Sequence, residues 1–339
     1  MDDRERLAAF VRRLPKAELH LHLEGTLEPE LALGIAQRNG LSLPFPDVDT
    51  ARAAYRFRDL SSFLNVYYAM TGVLRTEQDF YDLTWSYLTR AAEDNVRHVE
   101  PFFDPQAHLS RGIPFGILVT GILLALEDAE EHLGITSRLI MCFLRDQPPE
   151  EAMTVLETAH RYRDRIAGVG LDSAEAGFPP ERFSDVFARA AAYGMRRVAH
   201  AGEEGPPAYI AASLDVLGAE RIDHGVRCLE DPALTERLAL ERVPLTVCPL
   251  SNVRLHVVET MAEHPLKRML EAGLLVTVNS DDPAYFGGYL VDNYVEAALA
   301  LGLSEHDLVT LAENSFRASF LDEATKARHV EAVRAAAAG

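Results

Sequence analysis

Cysteine is scarce: three in 339 residues, an odd number, set far apart at Cys142, Cys228 and Cys248 with no Cys-x-x-Cys. That excludes a disulfide framework and a thiolate zinc site, and leaves reduced, buried thiols in a cytoplasmic protein. Positive charge is also short, with 33 Lys and Arg against 52 Asp and Glu and a net charge of −19. An acidic surface repels phosphate backbones and anionic lipid, so neither nucleic acid nor a membrane surface is expected as a partner. The opening Met1-Asp2-Asp3-Arg4-Glu5-Arg6 lacks the apolar core of a signal peptide. The longest apolar run, Ile113 to Leu126, contains Pro114 and two glycines and is too short to span a bilayer. It reads as a buried helix.

Strand-like segments recur at about 17–23, 96–103, 137–144, 167–173, 196–201, 220–224, 243–248 and 274–280. Apolar residues at helical spacing lie between them, as in Phe183, Val186, Phe187, Ala190 and Ala191. Strand alternating with helix implies parallel strands joined by crossovers. Eight candidates predict an α/β fold of the TIM (β/α)8 barrel type. An open dinucleotide-binding sheet is disfavoured because Gly25 stands alone where a Gly-rich turn is needed. No linker or repeat divides the chain, so 1–339 is expected to be one domain. Residues 26–95 are too many for one crossover and are expected to add helices over the barrel mouth. One is expected from Arg52 to Tyr68, with Phe57, Leu60, Phe63, Leu64 and Tyr67 on its apolar face, and another over about 76–94. The alanine-rich tail after about 325 is expected to fray.

His20 and His22 close the first strand, in Ala17-Glu18-Leu19-His20-Leu21-His22-Leu23-Glu24-Gly25. Side chains at i and i+2 of a strand share a face, so the two imidazoles converge. His200, His224 and Asp281 end three further strand candidates. In barrels of this type the reactive groups come from C-terminal strand ends. Three imidazoles and a carboxylate suit one divalent metal ion, zinc first and iron next. Such an ion lowers the pKa of bound water to about 7. Glu203, three residues after His200 at a strand-to-helix turn, is the candidate proton donor. Glu204 beside it suits the N-terminus of a helix instead.

The segments His20-Leu21-His22-Leu23-Glu24-Gly25, His200-Ala201-Gly202-Glu203, Arg221-Ile222-Asp223-His224-Gly225 and Ser280-Asp281-Asp282-Pro283 resemble the adenosine/adenine deaminase family of metal-dependent hydrolases, in order over about 14–320. The resemblance implies that His20, His22, His200 and Asp281 bind the metal and that Glu203 gives a proton to purine N1. It implies that His224 orients the attacking water and helps deprotonate it, and that Asp282 hydrogen-bonds N7. Members of the family attack C6 of the purine and expel ammonia. Cytidine-type zinc deaminases need a Pro-Cys-x-x-Cys half that is absent here. Two-metal relatives bridge their ions with a modified lysine or a carboxylate late in an interior strand. The chain's three lysines, Lys16, Lys267 and Lys326, end no strand, so one metal is expected.

The substrate expected is a small purine. Adenosine deaminases usually carry Asp where this chain has Glu24, and the extra methylene is expected to push a carboxylate into the space a ribose needs. The stretches around Thr246–Val253 and Ser280–Tyr289 are similar to the adenine-deaminase branch. Gly170-Leu171-Asp172-Ser173-Ala174-Glu175 departs from the Ala-Gly-Asp-Glu of adenosine deaminases, which assigns the purine N3 contact to Ser173 or a nearby backbone N–H. The reading is adenine deamination to hypoxanthine in purine salvage. Its rivals are deamination of adenosine or of a modified or 9-substituted aminopurine, and a purine or metal sensor without turnover. Nothing in the sequence sets an oligomeric state.

Overall fold

A computed structural model describes residues 2–338 except 56, 58 and 59. Among the described residues ten strands run in chain order: β1 (Lys16–Glu18), β2 (Val96–Val99), β3 (Phe102–Phe103), β4 (Thr136–Ser137), β5 (Leu139–Leu144), β6 (Ile166–Asp172), β7 (Arg196–Ala201), β8 (Arg221–His224), β9 (Pro244–Val247) and β10 (Leu275–Val278). Every pairing is parallel. Seven strands follow one another as β10-β9-β8-β7-β6-β5-β3, and three as β1-β2-β4. This is the α/β barrel expected, with two of its eight staves each broken in two. In the second, Pro101 separates β2 from β3, because proline has no N–H for the ladder.

The first stave differs from expectation in a way that matters for the site. Regular strand ends at Glu18 rather than at residue 23. Residues 20–23 instead stitch the barrel ends together. His22 N–H donates to Asp281 O (3.0 Å) and Asp281 N–H to His20 O (3.2 Å); Leu23 N–H donates to Phe102 O (2.9 Å) and Phe102 N–H to Leu21 O (2.8 Å). Leu19, Leu21 and Leu23 are buried around them.

Helices Pro29–Arg38, Val48–Ala54, Leu60–Thr71 and Glu77–Glu93 occupy the long first connection. The single helix expected over 52–68 is two, and residues 56, 58 and 59 of it lie outside the described residues, as do the side chains of 60–62. Glu77–Glu93 starts on a Thr76/Asp79 capping box and buries Phe80, Leu83, Tyr87, Leu88 and Ala91 at helical spacing. The apolar run 113–126 lies in Phe115–Leu133, whose inner face is buried. No helix among the described residues is long and apolar enough to cross a membrane.

The tail corrects the expectation that it frays. Glu323–Ala338 is a helix, as alanine's high intrinsic propensity favours. It buries Val330 and Val333, stacks His329 on Phe316 with ring centroids 4.4 Å apart, and pairs Arg334 with Glu313.

Candidate active site

The C-terminal ends of the strands open into one cavity lined by His22, His200, His224, Asp281, Glu203, Asp282, Asp104, Asp172 and Ser173. Phe63, Leu64, Tyr67, Tyr68, Leu255 and Phe286 supply its apolar surface. Three of the site residues sit in the left-handed backbone region: Ser173 (φ 69°), His224 (φ 63°) and Asp281 (φ 63°). For residues with a Cβ this costs about 1–3 kcal/mol each, a strain characteristic of functional strand ends.

His20 Nε2 is buried with no hydrogen-bond partner, while Nδ1 lies 3.1 Å from both Thr246 O and Thr246 Oγ1. The carbonyl can only accept, so the ring proton sits on Nδ1 and Nε2 offers its lone pair inward. Asp281 Oδ1 is 3.3 Å from His20 Nε2 and 3.5 Å from His22 Nε2, and His22 Nε2 is 3.2 Å from His200 Nε2. Two donors each about 2.0–2.1 Å from one tetrahedral zinc ion stand about 3.3–3.4 Å apart. The spacing therefore fits a divalent metal ion shared among them.

Two candidates compete for the fourth position. His20, His200, His224 and Asp281 each offer an atom within 4.8 Å of the others, and His22 groups with Asp104 and Asp172 by the same measure. His22 nevertheless makes the shorter approaches: His224 Nε2 is 3.8 Å from Asp281 Oδ2. His22 Nδ1 faces Asp172 Oδ2 at 3.5 Å and His200 Nδ1 faces Asp223 Oδ2 at 3.5 Å. A carboxylate behind the imidazole is the usual support of a metal-binding histidine. The geometry favours His22.

Glu203 lies 3.5 Å from His224 Nε2, and Asn252 Nδ2 approaches it at 3.4 Å. Burial, with Asp281, Glu204 and Glu175 nearby, pushes its carboxyl well above the usual carboxylate range. Asp282 is raised likewise by burial and by the charges of Asp281 and Glu24. Asp282 fits only because residue 25 is glycine; a Cβ there would overlap its carboxylate.

Glu24 is placed elsewhere than expected. Its Oε1 accepts from His108 Nε2 (2.7 Å) and from Asp104 N–H (3.2 Å), and it does not line the cavity. Burial opposes its ionisation, but the His108 hydrogen bond and charge hold its pKa below the ordinary value. The carboxyl that does face the cavity is Asp104, whose Oδ1 has no protein partner. Ser173 lines the same cavity with its Oγ unpartnered. Asp104, Asp172, Asn252 and Glu175 were assigned no role from the sequence. Asp172 at the end of β6 and Asp104 directly after β3 satisfy the strand-end rule and were legible by it; Glu175 and Asn252 lie further along the connections after β6 and β9.

A family model described as adenosine deaminase matches residues 15–336. An adenine deaminase of Streptomyces coelicolor is 63% identical over 324 residues, 95% of each chain. The crystal structure of an adenine deaminase from Arthrobacter aurescens superposes with TM-score 0.95 at 52% identity, covering 96% of this chain and 100% of that one. A Burkholderia ambifaria amidohydrolase with bound Zn superposes at 0.88 with 29% identity, covering 100% and 96%.

Proposed function

The chain belongs to the adenosine deaminase family, and we propose that its reaction is hydrolysis of adenine to hypoxanthine and ammonia. The observation that carries this reading is one buried cavity holding the imidazole–carboxylate cluster together with the carboxyls of Glu203 and Asp282. His20, His22, His200 and Asp281 would hold the metal, which we take to be zinc from the nitrogen-rich donor set and the zinc-bound relative. When bound, it supplies a Lewis acid that makes hydroxide available near neutral pH.

The protein's own groups do the rest. Glu203 gives its proton to purine N1, which draws electron density from C6 and opens it to attack. Asp282, protonated, donates a hydrogen bond to N7. Phe63, Tyr67 and Phe286 exclude water around a flat ring. Attack at C6 forms a C–O bond; the new hydroxyl's proton passes to the amine, and the C–N bond breaks to release ammonia and leave the 6-oxo group of hypoxanthine.

The free base is favoured by Asp104 rather than by Glu24. Asp104 Oδ1 can accept from the N9–H of adenine, a donor that adenosine lacks because ribose occupies N9. Glu24 and His108 stand behind it, with Glu24 fixing the Asp104 backbone N–H. Ser173 in the same cavity is the candidate N3 contact. The decisive experiment measures kcat/KM for ammonia release from adenine and from adenosine. Adenine is expected to be the better substrate; a preference for adenosine overturns the assignment.

A further inference from the structure

Asn252, in the helix Pro249–Arg254 after β9, sits between His224 and His264 with its amide held in one orientation. The backbone N–H of Leu266 donates to His264 Nδ1 at 3.1 Å. A backbone N–H can only donate, so Nδ1 is the acceptor nitrogen and the ring proton of His264 is on Nε2. That Nε2 lies 3.1 Å from Asn252 Oδ1. The other end of the amide, Nδ2, is 3.3 Å from His224 Nδ1 and 3.4 Å from Glu203 Oε1. An amide nitrogen also only donates, which leaves His224 Nδ1 with a lone pair and puts its proton on Nε2. His224, Asn252 and His264 are all buried, so solvent does not offer an alternative set of partners.

We infer that His264, acting through Asn252, fixes His224 as the Nε2–H tautomer, so that His224 donates a hydrogen bond to the oxygen attacking C6 and is neither its base nor a metal ligand. The inference rests on the deaminase reading for the identity of that oxygen. It revises the role expected from the sequence, in which His224 helps deprotonate water. A nitrogen that carries a proton has no lone pair for a metal, so the fourth position falls to His22, whose proton is drawn to Nδ1 by Asp172. His264 and Asn252 are positioning residues. A donor that holds the attacking oxygen in line with C6 acts by orientation, and a misplacement of about 1 Å costs about 10²-fold in rate.

The test is 15N NMR of histidine ring nitrogens in the zinc-loaded protein without substrate, with His224 assigned by its absence in His224→Ala. Wild type is expected to show His224 protonated on Nε2 and unprotonated, unmetallated on Nδ1. His264→Gln, which keeps a donor toward Asn252, is expected to retain that signature and at least about a third of kcat. His264→Leu is expected to keep one equivalent of zinc, lose the single tautomer and drop kcat about 10²-fold with KM little changed. A wild-type His224 protonated on Nδ1, or with Nε2 shifted as a metal ligand, overturns the inference, and this reading stands even where His264→Leu does not fold. Equal kcat losses in a folded His264→Gln and His264→Leu overturn it too. No ammonia from adenine in a protein with the expected tautomer sinks the deaminase reading instead and leaves the proton assignment intact.

Discussion

The carboxylate of Glu175 accepts the backbone N–H of Glu203 at 3.0 Å, and the same side chain takes the N–H groups of Gly202 (2.7 Å), Glu204 (2.9 Å) and Gly205 (2.8 Å). One buried carboxylate thus organises the whole turn that carries Glu203, the proposed proton donor. The absence of a Cβ at Gly205 makes room for it. Substituting Glu175→Gln leaves one acceptor oxygen and turns an NH2 group toward backbone donors. Each buried N–H left unsatisfied costs about 1–3 kcal/mol. The variant is expected to melt several degrees lower and to lose at least about tenfold in kcat, read by calorimetry and ammonia release.

Glu203→Gln removes the proton given to N1 and is expected to lower kcat/KM by about 10²–10⁴, with metal content unchanged. Because burial raises the Glu203 pKa, wild-type activity depends on its protonated form and declines as pH rises through that raised value. The residual activity of Glu203→Gln is expected to lack this alkaline limb. A pH–rate profile on both proteins checks it.

Metal removal has a structural consequence. His20 Nε2 then has no partner in a buried site, and His22 Nε2 and His200 Nε2 face each other at 3.2 Å. Chelation is expected to lower Tm, and zinc at about 1,000-fold over its Kd to restore about 4 kcal/mol. Calorimetry with metal analysis measures both.

Glu18 tests the acidic core of the barrel below the site. Burial raises its pKa to about 7, opposed by hydrogen bonds from Ser280 Oγ and from Tyr87 Oη (2.7 Å). The folded state therefore binds a proton that the unfolded state, titrating near 4.5, releases. Its contribution is full below about pH 4.5 and is lost as pH climbs to about 7, a change of about 3 kcal/mol. Denaturant melts of Glu18→Gln are expected to lack that decline, and the difference from wild type isolates it.

Asp104→Ala deletes the proposed N9–H acceptor while leaving Glu24 with His108. It is expected to reduce kcat/KM for adenine by at least about tenfold and to narrow the preference over adenosine. Unchanged discrimination in a folded variant assigns the selectivity to another group.

The barrel was legible because each stave is short, apolar and bounded by turn residues, and because His20 and His22 follow the first of them while His200, His224 and Asp281 lie at or just past the ends of three others. Strand-end chemistry is local: a residue at the end of a parallel stave must face the mouth. Glu24 was misplaced for the opposite reason. Its position in His20–Gly25 says it lies near the site, but which way it turns depends on His108, 84 residues away. The tail was misjudged because alanines show no apolar face of their own, and Phe316 and Glu313 supply the partners.

The amino-acid order alone determined the parallel α/β architecture, the donor atoms offered to a metal and the acid beside them. Those features follow from side-chain chemistry and from periodicities of two and 3.6 residues. Folding in three dimensions decided where protons reside. Leu266, His264, Asn252 and His224 span 43 residues, and Glu175 is 28 from Glu203. A proton's place on an imidazole or a carboxyl is set by whichever donor or buried charge packs against it, and no spacing in a chain encodes that neighbour.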